Sequence, residues 1–171
     1  MFLLLASTMC AGVFCGAALY VNLVEHPARM SCGLELAVRE FAPSYRRATI
    51  MQVSLALAGL VLGLVAAWQL RDAWIATGAA LLGASIPFTL AFILPTNKRL
   101  LDPTLDLRSL RVAELLARWN RLHAVRTVLS AVAFVLLLRC LAGFHGKHGE
   151  REHYLRAVGF SLSDCISLSF P

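Results

Sequence analysis

Three runs without a charged residue, Phe2–Val24, Thr49–Leu70 and Ala73–Leu94, constrain this chain more than any other feature. As helices rising about 1.5 Å per residue, each is longer than a hydrocarbon core of about 30 Å requires. A fourth run, Leu122–Leu138, is shorter and carries Arg126 near its start. It spans when Arg126 and Arg139 snorkel to opposite interfaces. Backbone groups in lipid must pair internally, so only helices or closed barrels can cross. These runs are continuously apolar rather than alternating, which selects helices. Composition agrees: 58% of residues are hydrophobic and 15% charged, against about 45–50% and about 25% in soluble domains. Mean hydropathy is +0.70. Disorder is excluded, and a water-soluble surface could not cover this much hydrocarbon. The predicted fold is all-α, a four-helix transmembrane bundle over residues 1–142. A polar tail expected to be flexible follows over 143–171.

Only Arg71 and Asp72 separate spans two and three, which forces a tight hairpin with Asp72 as N-cap of span three. Pro87 is expected to kink span three, and Pro95 to end it. Gly59 and Gly63 form a GxxxG in span two, Gly12 and Gly16 another in span one. Such spacing lets helix backbones approach closely. The expected use is packing inside the bundle, with homo-oligomerisation through the same faces as the alternative. Over Thr104–Arg121, apolar residues recur every three or four positions. This predicts a protruding amphipathic extension that feeds into the fourth helix.

The net charge is +6, but the basic residues sit between apolar runs rather than along one stripe, so nucleic acid is not an expected partner. Membrane lipid is. The loop after span one holds Arg29, Arg39, Arg46 and Arg47. The loop before span four holds Lys98, Arg99, Arg108, Arg111, Arg118 and Arg121. Those ten face five on the other side (Arg71, Arg139, Lys147, Arg151 and Arg156). Positive-inside reasoning puts both large loops in the cytoplasm and both termini opposite. The first run lacks a basic n-region and is long for a signal peptide, so an uncleaved helix is expected. Neither end reads as a lipidation signal. The five cysteines, Cys10, Cys15, Cys32, Cys140 and Cys165, are odd in number and contain no CxxC, which argues against a disulfide framework. His145, His148 and His153 in the tail lack ligand-spaced partners and do not make a metal site.

Antiparallel threading brings three polar groups to one membrane face. They are Asn22, Glu25, His26 and Arg29 after span one, Pro95 to Lys98 after span three, and Trp119, Asn120, His123 and Arg126 opening span four. Asn22 and His26 are four apart; Trp119, His123 and Arg126 fall at i, i+4 and i+7. Arg126 inside the apolar boundary is costly without a partner, and Glu25 and Glu114 are candidates. Each residue alone has a plain structural use: His26 closing a helix, Trp119 anchoring at the interface, Arg126 snorkelling. Together they predict a cytosol-facing polar pocket.

These residues resemble those of the anthrone oxygenase-like membrane proteins, formerly a domain of unknown function. The resemblance lies in GAALYVNLVEHPARM, LPTNKRLLD and WNRLHAVRTVLS, hence Asn22-x-x-Glu25-His26-Pro27, Pro95-x-Asn97 and Trp119-x-x-x-His123-x-x-Arg126. It runs roughly from Ala6 to Leu141 and omits the tail. It implies a monooxygenase-like oxidoreductase that uses O2 on a hydrophobic phenolic or polyketide-like substrate, as some members oxidise anthrones to anthraquinones. His123 or His26 would then be the base, Asn22 and Asn97 would hydrogen-bond the developing oxyanion, and Arg126 would hold negative charge. Trp119 would stack on a planar ring, with Glu25 beside it in the substrate site. No nucleotide-cofactor fingerprint is present, and no cofactor is expected. A metal on His26, His123 and Glu25 is the variant. The competing classes are a non-enzymatic membrane scaffold or subunit, and a small lipid or proton carrier. The absence of an internal repeat weighs against a transporter.

Overall fold

The structure is a computed structural model that describes the backbone of residues 1–157 and the side chains of residues 1–144. Most of the polar tail, with His145, His148, His153 and Cys165, therefore lies outside the described side chains. Among the described residues the chain is helical almost throughout, without strands, and four helical segments are long and apolar enough to cross a membrane. Span one, Phe2–Ser31, joins α1 (Phe2–Tyr20), a π turn (Val21–Glu25) and α2 (His26–Ser31). Span two is the single helix α3 (Leu34–Leu70). Span three, Ala73–Leu100, joins α4 (Ala73–Phe88), a second π turn (Thr89–Ile93) and α5 (Leu94–Leu100). Span four is the first part of α6 (Leu110–Ala157).

The four spans form an antiparallel ring. The helix α1 packs on α3 and α6, α4 packs on the same two, and the diagonal pairs barely touch. Outward faces carry exposed Leu57, Val61, Leu64, Val128 and Val135, the surface a lipid solvent requires. Trp68 and Trp74 flank the Arg71–Asp72 turn and are 81% and 62% exposed, the placement of interfacial anchors. Asp72 is the N-cap of α4, its carboxylate accepting the Trp74 N–H at 2.8 Å. Arg71 takes the left-handed conformation that ends α3.

Several helix boundaries differ from the hydropathy pattern. The helix of span two begins at Leu34, so Arg39, Arg46 and Arg47 lie on a helix rather than in a loop, with exposed Pro43 inside it. Pro95 does not end span three, because it occupies the first turn of α5, where its missing N–H costs nothing. The amphipathic helix starts at Leu110, not Thr104. The carboxylates of Asp102 and Asp106 capture nearby N–H groups at Thr104 and Arg108, and such Asx turns compete with helix. The Thr104 hydroxyl and N–H also hold the Asp102 carboxyl below the usual carboxylate range.

Two clusters fill the bundle. The one nearest the Arg71–Asp72 turn is rich in small residues, including Ala11, Ala18, Ala56, Ala66, Ala67 and Ala133. Gly59 and Gly63 are buried there against Leu82, Cys10, Ala79 and Ser7, so this GxxxG packs inside the bundle. Gly12 faces Phe134, while Gly16 has open space beside it. The second cluster, at the other end, is bulky: Phe41, Ile93, Leu100, Val112, Leu115, Leu116 and Trp119.

Candidate functional site

Both π turns lie in the half of the bundle that holds the second cluster, and a proline follows each within two residues. Pro27 and Pro95 cannot donate to the carbonyls four residues earlier, which favours a wider local turn. A π turn adds one residue, so the chain beyond it is rotated by about 100° from a straight α-helix. His26 and Arg29 become buried beyond the first, Thr96 and Asn97 beyond the second.

Asn22, on the first π turn, is the centre of a network that ties span one to span four. Its amide nitrogen donates to the Asn120 side-chain oxygen at 2.8 Å. Its oxygen accepts the Thr127 hydroxyl at 2.6 Å and faces His123 Nδ1 at 2.7 Å. An amide oxygen only accepts, so Nδ1 carries the proton and the basic lone pair of His123 lies on Nε2. That nitrogen receives a hydrogen bond from Arg126 Nη2 at 2.5 Å. Arg126 Nη2 also donates to Gln52 Oε1 at 2.7 Å, crossing to span two, and the guanidinium lies 5.6 Å from the Phe14 ring centre.

Arg126 is 9% exposed and forms no ion pair with any carboxylate among the described residues. Neither expected partner serves it. Glu25 is taken by Arg29, with which it pairs directly, and by the Ser44 hydroxyl at 2.7 Å. Glu114 is exposed. Arg29 also pairs with Glu40 at 2.8 Å and packs over the rings of Phe41 and Trp119, which joins α2 to α3.

Trp119 stands between the two histidines, with ring centres 4.8 Å from His123 and 5.7 Å from His26. Phe41 meets it edge to face at 5.3 Å. A cavity opens beside this wall, lined by all four spans, and the centres of water-sized spheres can occupy about 110 Å³ of it. Its wall is mainly apolar or aromatic, including Phe14, Val21, Ile86, Ile93 and Leu94. The polar side chains that line it include Glu25, Gln52, Asn97, His123 and Arg126, with Trp119 beside them. Asn22 and His26 are not in the lining: the first braces His123, and the second is buried behind Trp119 with Nδ1 unpartnered.

Several buried polar atoms here have no protein partner. They are Gln52 Nε2, Asn97 Nδ2 and Oδ1, Trp119 Nε1 and Arg126 Nε. Gln52 is 3% exposed and Asn97 0%. Buried polar groups left unpaired are costly, so several in one cavity mark a place for a polar ligand. The set is rich in donors and adjoins a cation, which suits a ligand oxygen bearing negative charge. Among the described residues no three His, Cys, Asp or Glu side chains gather as a metal site.

Gln52, Phe41 and Ser44 also belong to this site, outside the three polar groups of the sequence. Gln52 left a signal: it is an amide early in an otherwise apolar run, where a polar group has no water to bond. Phe41 and Ser44 left none, since a hydropathy pattern does not show a helix continuing through charged residues.

Residues 41–136, just over half of the chain, match the family model described as Anthrone oxygenase. The match includes Gln52, Asn97, Trp119, His123 and Arg126 and stops short of Asn22, Glu25 and His26. No curated protein and no solved structure matches the chain.

Proposed function

The chain belongs to the anthrone oxygenase family, and on that premise we propose that it is a cofactor-independent membrane oxygenase acting on hydrophobic phenolic or polyketide-like ring ketones. The observation that carries this reading is Arg126: a cation without a carboxylate partner among the described residues, held between Gln52 and His123 at the wall of a largely apolar cavity within the bundle. A charge there is costly unless an anion joins it. A planar ring ketone that loses a proton becomes such an anion, an enolate whose charge rests largely on oxygen.

The chemistry needs a base, an oxyanion partner and exclusion of water. His123 Nε2 takes a proton from the ring methylene while Arg126 turns from Nε2 to the enolate oxygen. Gln52 Nε2 supplies a second donor. Asn22 keeps Nδ1 protonated and so keeps the lone pair on Nε2. The carbanion passes one electron to O2, and the resulting radical and superoxide combine into a peroxide anion. Proton return from His123 gives the hydroperoxide. Loss of water from it leaves a carbonyl. In sum CH2 and O2 become C=O and H2O, and the base is regenerated. Trp119 and Phe41 give the ring a flat aromatic wall. The excess of basic residues at this end of the bundle supports a cytoplasmic orientation for it.

Purified protein in lipid nanodiscs, supplied with anthrone, tests the reading through O2 uptake and the absorbance of the quinone formed. Wild type should exceed the protein-free rate, and His123→Ala should lose about 100-fold or more with helix content unchanged. Turnover at the blank rate in wild type, or full turnover in a folded His123→Ala, would overturn it.

A further inference from the structure

Asn97 stands apart from the His123–Arg126 network. It is 0% exposed, lines the cavity, and has neither its amide nitrogen nor its amide oxygen paired. It lies on α5, two residues after Pro95. An unpaired buried amide loses the hydrogen bonds that water gave it on both sides, a cost that a well-matched ligand removes. Trp119 Nε1 is likewise unpaired, and its ring lines the same cavity. The cavity thus has a second set of unpaired polar atoms, on Asn97 and Trp119, besides those of Gln52 and Arg126.

The two sets of unpaired atoms ask for different groups. Those of Gln52 and Arg126 are donors only. The second offers two donors, Asn97 Nδ2 and Trp119 Nε1, and one acceptor, Asn97 Oδ1. A carbonyl oxygen has no proton for Oδ1. A hydroxyl has one proton and two lone pairs, the complement of this set. Beside the rings of Trp119 and Phe41, the group that carries such a hydroxyl is an aromatic ring.

We propose that Asn97 is the residue that selects the substrate by binding its phenolic hydroxyl. This rests on the oxygenase reading for the identity of the substrate, but not for the existence of the hydroxyl site. It assigns Asn97 to recognition rather than to the oxyanion. A site built around a hydroxyl discriminates against the analogue that lacks it, because the protein groups are then left unpaired.

The test uses the full chain in nanodiscs with Trp68→Phe and Trp74→Phe, so that Trp119 is the one remaining indole. Anthraquinone and its 2-hydroxy derivative, whose hydroxyl proton is free of the quinone carbonyls, are titrated against indole fluorescence, which reads binding without turnover. The hydroxylated ligand should bind about 10-fold or more tightly. In Asn97→Leu that advantage should vanish, with the Kd of the plain quinone changed less than about twofold. Asn97→Ala provides the same comparison if Asn97→Leu does not fold. Equal Kd values in wild type, or an advantage that survives both substitutions, would overturn the proposal. Hydroxyl preference without O2 uptake would support it and overturn only the reaction.

Discussion

The two halves of the bundle are built from different side chains and hold the helices in different ways. Near the Arg71–Asp72 turn, alanines and glycines let the axes approach until backbone meets side chain, as where the Ser7 hydroxyl donates to the Gly59 carbonyl at 2.8 Å. Every helix there is regular. At the other end, Phe41, Trp119, Leu116 and Ile93 build the core, two π turns interrupt the α pattern, and a cavity lies beside them. One half provides close packing. The other holds a buried cation and unpaired amides that packing alone would not retain. If the proposed reaction runs in this cavity, stability and activity lie at opposite ends of the same rods, and substitutions should separate them.

The largest separation is expected at Arg126. Arg126→Met removes the cation with little loss of volume, so turnover should fall about 1,000-fold, as when an oxyanion partner is lost. The melting temperature should fall only modestly, because loss of the buried charge offsets part of the cost of leaving Gln52 Oε1 and His123 Nε2 without their donor. A melting temperature that collapses with activity would break the division into halves. Asn22→Leu should come next. It leaves His123 free to adopt either tautomer, and kcat should drop about 100-fold with KM nearly unchanged. A change confined to KM would assign Asn22 to substrate binding instead.

Gly63→Val tests the opposite half and should give the smallest effect. A Cβ at Gly63 would sit 2.6 Å from the Ala79 Cβ and 2.7 Å from the Ser7 hydroxyl oxygen, in helices that cannot easily part. Overpacking of this kind costs about 1–3 kcal/mol. The thermal midpoint should therefore fall while turnover per folded molecule stays the same. Unchanged stability would show that this seam is looser than its distances imply.

The sequence by itself determined the solvent, the number of spans, the hairpin at Asp72 and the polar end of the bundle, because these follow from the length of apolar runs and the position of charges along one dimension. It also placed Asn22, His123 and Arg126 near one another, since antiparallel threading of rods of known rise fixes which ends meet. Partners were another matter. Glu25 lies as near to Arg126 in the pattern as Gln52 does, yet Arg29 takes Glu25 and the guanidinium turns to Gln52. Only the tertiary structure decided this, and with it that His123 reaches the cavity while His26 lies behind Trp119. The physical reason is rotational. Hydropathy records depth in the membrane, but each π turn adds a residue and swings the chain beyond it by about 100°, and the packing of the neighbouring helices fixes which side chain then faces inward.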